Sequence, residues 1–372
     1  MLLDQRIRTL AHNLVNYSCR VQKGENVFIE ATGVDYQLVN CLVQEVVKAG
    51  GYPYVSIKDN RVEREICMNM SNELAEQMAD FDNYKMKKMQ AYIGIRGGEN
   101  AFEKSDVPSD KMKIYLSKYS QPVHLDTRVK HTKWVILRYP TQGMSAMSAM
   151  STEAFEDLYF KVCNLDYQKM DDAMTPLVEL MNKTDKVRIV APGTDLTFSI
   201  KGIPAIKCSG KCNIPDGEVY TAPVKNSVNG RITYNTPSVE NGIKFENVSL
   251  LFKDGKIVEA TSNHNKEINE IFDTDDGARY VGEFAIGVNP YVENPMGDIL
   301  FDEKIRGSIH FTPGASYDDA YNGNDSSVHW DLVLIQTKEM GGGEIYFDDV
   351  LVRKDGIFVL DELKCLNPEN LK

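Results

Sequence analysis

Long apolar runs are missing from this 372-residue chain: nowhere do eighteen apolar residues follow one another, so no membrane-spanning helix is expected. Basic charge is also scarce. Lys and Arg number 42 against 54 Asp and Glu, and 42 − 54 gives a net charge of −12. Phosphate binding uses clustered Lys and Arg, so nucleic acid is not expected as a partner, and neither is an anionic membrane. The cysteines number seven, at positions 19, 41, 67, 163, 208, 212 and 365, and they are scattered and odd in number. That pattern excludes a disulfide framework. The opening MLLDQRIRTLAHNLV is interrupted by charges and lacks a small-residue cleavage site, so a cytoplasmic protein is expected. There is no G-x-G-x-x-G following a strand, no Walker A loop, no H-E-x-x-H and no G-x-S-x-G. Nucleotide chemistry and the common one-motif hydrolases therefore lose their sequence support.

Against these absences stands an ordinary globular composition, 42% hydrophobic and 26% charged. The length suggests two domains. Helix-period and strand-period segments alternate through the first half. Leu3, Ile7, Leu10, Leu14 and Val15 fall at helical spacing over residues 1–20, and an apolar run follows from Asn26 to Ala31. Residues 35–49 repeat the helical pattern and stop at Gly50-Gly51. Strands are expected at Tyr52–Ile57, Gln90–Ile95 and Trp134–Tyr139, with helices near 62–80 and over Thr152–Asn182. Such alternation predicts an α/β domain with a mostly parallel sheet, residues 1–185. From Lys186 the runs become short and β-rich, broken by Gly, Pro, Asn and Asp, with an Asp-Gly hairpin at residues 254–255 and one helix at Lys266–Phe272. Residues 186–372 are thus expected to form an α+β domain with mainly antiparallel strands.

Chemistry concentrates in residues 280–331, YVGEFAIGVNPYVENPMGDILFDEKIRGSIHFTPGASYDDAYNGNDSSVHWD. His329-Trp330-Asp331 is its sharpest piece. On a strand running into Leu332–Ile335, residues i and i+2 share a face, so an imidazole and a carboxylate project together while Trp330 faces away. Imidazole with carboxylate suits Zn, Co, Mn or Fe. Alone, this triplet is more often a hydrogen-bonded surface pair, and His310 alone is more often a satisfied core histidine. Glu283, flanked by apolar residues, is a carboxylate that is costly to bury unless paired or coordinated. Glu218 in DGEV has the same character, but by itself it reads first as an exposed turn acid, and spacing does not single it out. Spacing by itself points to a metal site near His310, His329 and Asp331. Asp302-Glu303-Lys304 reads either as support for His310 or as a solvated charge run, and the Met144, Met147, Met150 series as packing. Cys208 and Cys212 suggest no role.

The order of several segments adds a further indication. LAHNLVNYSCRVQKGENVFIEA, MSAMSTEAFEDLYFKVCNLDY, DGEVYTAP, YVGEFAIGVNP, DEKIRGSIHFTPGASY and NDSSVHWDLV together resemble the thermophilic-type metalloaminopeptidases, the aminopeptidase T and aminopeptidase S group of peptidase family M29. The resemblance extends along nearly the whole chain. It implies metal ligands at Glu218, Glu283, His310, His329 and Asp331, and an active-site tyrosine at Tyr317. It further implies two divalent metal ions (Zn, Co, Mn or Mg), peptide substrates with a free N-terminus, and a homodimer. Within such a centre Glu283 is expected to bridge the metals, Glu218 to ligate or act as general base, and Tyr317 to hydrogen-bond the oxyanion. Two departures bear on substrate preference: a short segment between His310 and His329, and Thr312-Pro313 before the glycine. The same centre would serve a hydrolase of non-peptide amides or esters, and a non-catalytic metal-containing binding protein is the alternative of a different class.

Overall fold

The computed structural model describes residues 4–34, 36–100, 102–240 and 242–372. Leu3 and Asp35, both included in the helical expectations above, lie outside the described residues. The chain forms two compact units, one of residues 1–164 with 210–214, the other of residues 165–209 with 215–372.

The first unit is built on a parallel sheet. The apolar run after Lys23-Gly24-Glu25 becomes strand β1 (Asn26–Thr32), buried along almost its whole length. β2 (Tyr52–Lys58), β3 (Ala91–Arg96) and β4 (Lys133–Arg138) join it in the order β2-β1-β3-β4, every pairing parallel. Residues 213–214 add a short fifth strand, parallel to β4. The first helix, Gln5–Asn13, is capped by the Asp4 side chain and buries Ile7, Leu10 and Ala11. The helical stretch expected near 62–80 is two helices, Asn60–Met68 and Asn72–Met86, because Asp59 and Ser71 each cap a new start. Between β1 and β3 lies one buried carboxylate, Glu30. It accepts from the Tyr92 hydroxyl at 2.9 Å and the Arg96 guanidinium at 3.0 Å, and pairs with Lys58 at 2.9 Å. Burial alone would raise its pKa, but Arg96 and Lys58 prevail and hold it at about 2.

The second unit carries antiparallel sheets. Among the described residues the largest has eight strands, running from Lys256–Thr261 at one edge to Ile357–Phe358 at the other. Its Asp-Gly hairpin forms as the sequence suggests, with Asp254 and Gly255 both at positive φ. A separate five-stranded sheet positions the candidate site. Its members are β5 (Ile206–Cys208), β6 (Glu218–Thr221), β7 (Val281–Gly287), β8 (Ser308–Pro313) and β9 (Val333–Ile335), in the order β9-β8-β7-β6-β5. Both β7 and β8 are buried throughout.

The boundary placed near residue 185 differs from the observed division. The single long helix expected at Thr152–Asn182 is two, Thr152–Cys163 and Tyr167–Met181. Asn164 ends the first, and the Asp166 side chain caps the second by accepting from the Lys169 amide. The second helix belongs to the C-terminal unit. No described helix is long and apolar enough to cross a membrane.

Candidate metal centre

Antiparallel register gathers the acid and imidazole groups. Glu218 opens β6 opposite Gly287, which ends β7. Glu283 of β7 stands opposite Thr312 of β8, and His310 of β8 opposite Ala285 of β7 and Val333 of β9. The strand expected across residues 329–335 is shorter: β9 begins at Val333, and His329 is held upstream by a single bridge to Gly314. Gly314 has φ of +108°, and a Cβ there would strike the Val328 carbonyl, so only glycine lets the two backbones meet. The alternation survives nonetheless. Trp330 is buried against Phe245 and Phe272, while His329 and Asp331 turn the other way.

His310 Nε2 lies 3.2 Å from Glu283 Oε1 and 3.5 Å from Glu218 Oε2. His329 Nε2 lies 3.3 Å from both Glu283 Oε2 and Asp331 Oδ1. Glu283 therefore touches both imidazoles, one through each oxygen. Ligand atoms come within 4.8 Å of one another in the sets Glu218–Glu283–His310 and Glu283–His329–Asp331. A third set, Glu303–His310–Asp331, includes a residue the sequence reading left as support or solvated charge.

Lys304 is buried and Glu303 half-buried for a reason outside their own segment. Gly287 presents no side chain, and the Glu303 carbonyl approaches to 3.1 Å of where a Cβ would stand. That glycine at the end of a strand run is the signal available in the sequence. Lys304, 1% exposed, places its ammonium 2.6 Å from Glu218 Oε1, 2.6 Å from Glu303 Oε1 and 3.4 Å from Asp216 Oδ1. Cys208 also comes within 4.8 Å of Asp216 and Glu218, and burial pushes its thiol far above the ordinary range.

Neighbouring groups fix how these side chains present themselves. The Ala315 carbonyl, 2.8 Å from His329 Nδ1, can only accept, so Nδ1 carries the hydrogen and Nε2 offers its lone pair. Thr312 donates to Asp331 Oδ1 at 2.7 Å, so the threonine that departs from the resembled pattern orients a candidate ligand. Tyr317 stacks beside His329, ring centroids 4.8 Å apart, and keeps 47% of its surface open. Desolvation of its hydroxyl, with the Glu283 and Asp331 charges, raises the phenol's pKa and keeps it a donor.

Electrostatics identify what is missing from the balance. Burial opposes the charged imidazoles, yet Glu218 and Glu283 hold His310 up to about 10, and Asp331 and Glu283 hold His329 up to about 11. Burial lifts Glu303 to about 8. Glu218 Oε2, His310 Nδ1 and His329 Nε2 are removed from solvent without a hydrogen bond. Asp216, Glu218, Glu283, Glu303 and Asp331, when ionised, set five negative charges against the one ammonium of Lys304. The field that draws protons to the imidazoles draws a divalent cation equally, and the two compete for the same lone pairs. This mixed carboxylate and imidazole set fits a divalent metal.

Comparison with known proteins agrees. The signature of the thermophilic metalloprotease family (M29) matches residues 3–358. Aminopeptidase PepS of Streptococcus thermophilus is 23% identical over 89% of this chain and 92% of its own length. The solved structure of wild-type AmpT from Thermus thermophilus superposes with a TM-score of 0.81 at 18% identity, covering 96% of this chain and all of that one. The fold is shared more widely. A 2,5-dihydroxypyridine dioxygenase from Pseudomonas putida KT2440 superposes at a TM-score of 0.63 and 12% identity over 98% of this chain and 99% of its own. The fold thus carries more than one chemistry, and the family is established by the sequence signature together with the acid and imidazole cluster: the chain belongs to the thermophilic metalloprotease family M29, the metal-dependent peptidases.

Proposed function

We propose that this centre removes N-terminal amino acids from peptides with a free N-terminus, using two divalent ions held by Glu218, Glu283, His310, His329 and Asp331, with Glu303 as a further donor. The observation that carries the reading is that Glu283 lies within 3.3 Å of both His310 and His329, in two groups, Glu218–Glu283–His310 and Glu283–His329–Asp331, whose ligand atoms all lie within 4.8 Å of one another. Such ions supply a water activated near neutral pH and polarise the scissile carbonyl. Glu283, which addresses a histidine with each oxygen, would be the carboxylate to hold metal through both oxygens. Glu218 is tethered to Lys304 through Oε1, which leaves Oε2 to ligate or to take a proton from the attacking water. Tyr317, protonated and open on one side, donates its hydroxyl to the developing oxyanion.

Metal content measured together with activity tests the reading. After loading with Co²⁺ or Zn²⁺, roughly two ions per chain are expected. Aminoacyl anilides should be cleaved and their N-acetylated counterparts spared. Equal cleavage of the blocked substrates would sink the aminopeptidase assignment.

A further inference from the structure

Beside the metal centre the second unit has a cavity of about 230 Å³ that shares His329 and Asp331 with it. This is below the roughly 300–1,000 Å³ of sites for drug-sized ligands and suits one residue's terminal groups. The opposite wall is the strand Ser238–Glu240 of a two-stranded hairpin with Ile243–Phe245. That wall is fastened to the ligand-bearing segment. The Trp330 indole, between His329 and Asp331, donates to Ser238 Oγ at 2.9 Å, and the Thr236 hydroxyl donates to the Val333 carbonyl. Glu240 is two residues beyond Ser238, on the same side of the strand.

The charged groups lining this cavity differ in what occupies them. Asp302 accepts from the Met296 and Gly297 amides at 2.6 and 3.1 Å. Lys244 is paired with Glu246 at 2.7 Å. Asp331 is engaged by Thr312 and His329. Glu240 alone of these four has no ion pair or side-chain hydrogen bond among the described residues, although it is only partly exposed. An unpaired carboxylate withdrawn from water is costly unless a cation meets it.

We propose that Glu240 receives an ammonium group of the substrate's N-terminal residue, and that this cavity is where the residue to be released is recognised. This rests on the aminopeptidase reading. The ammonium has two sources, the α-amino group or a lysine-like side chain, and binding separates them.

Titration calorimetry with L-leucinol, L-lysinol and Nα-acetyl-L-lysinol, which offer no bond for an aminopeptidase to cleave, on metal-loaded wild type and Glu240→Gln, requires no turnover. If the α-ammonium is received, the variant weakens leucinol and lysinol alike, by tenfold or more, and the wild type binds the acetylated probe poorly. If the side chain is received, only the two lysine probes weaken. Unchanged binding of all three by Glu240→Gln, with metal content equal to wild type, overturns the proposal. Anilide assays on the same samples report separately on the aminopeptidase reading. Wild type that binds the amino alcohols through Glu240 yet cleaves no aminoacyl anilide would refute that reading and leave the cavity assignment standing.

Discussion

Each unit buries a cluster of charges, and the two clusters are balanced differently. In the first, Glu30 is met by Arg96, Lys58 and the Tyr92 hydroxyl, and Lys58 also reaches Glu63 at 3.9 Å, so these two carboxylates and two cations match one another within the chain. In the second, Asp216, Glu218 and Glu303 share Lys304, while Glu283 and Asp331 face the imidazoles of His310 and His329. A self-neutralised cluster holds a sheet together. A cluster whose carboxylates outnumber its one fixed ammonium, and whose imidazoles can exchange their protons for a divalent cation, is suited to bind metal instead.

The comparison can be broken most forcefully at Glu283. Glu283→Ala should lose at least one metal and lower turnover by roughly 10³-fold or more, read by metal analysis and kcat. Full activity in that variant would refute the assignment of the centre. Lys304→Met removes the only ammonium from the acidic cluster. The metal-free variant should lose about 3 kcal/mol of stability in urea unfolding, and added Zn²⁺ or Co²⁺ should recover most of it. Glu30→Gln breaks the balanced cluster instead and should cost about 2 kcal/mol, a value moderated by the partly exposed Arg96 and Lys58, with no recovery by metal. Equal rescue of both variants would erase the distinction between the clusters. The pH dependence follows from the sign of the Glu30 shift, which is downward on folding, from 4.5 to about 2. Its contribution is complete above the unfolded value and disappears as pH falls from about 4.5 toward 2, so Glu30→Gln should flatten the acid limb of the stability curve. The smallest effect is expected from Thr312→Val, which leaves Asp331 without its donor and should weaken metal binding about tenfold.

Much of this was legible in the sequence because it is local. Strand-helix alternation gives the parallel sheet, and Asp254-Gly255 gives the hairpin in the eight-stranded antiparallel sheet. The i and i+2 spacing places His329 with Asp331 even though β9 starts later than the apolar run suggests. What could not be read depends on distant backbone. Glu303 and Lys304 look like a solvated charge run until the bare Gly287 admits their backbone beside β7. Glu240 sits in a short hairpin with no motif, and the Trp330–Ser238 and Thr236–Val333 hydrogen bonds bring its strand to the centre. The break at Asn164–Asp166 is a matter of caps, and an unbroken apolar period hides it.

Residues 213–214, the last strand of the parallel sheet, come fifty residues after the main body of the first unit ends at 164. During synthesis, then, the first unit cannot be completed when its own contiguous stretch has emerged. Until position 214 follows, the open side of β4 remains an unpaired edge able to join another nascent chain. A gene fragment stopped at residue 164 would make that transient hazard permanent, so expressing the N-terminal half by itself should give aggregates where the longer chain gives folded protein.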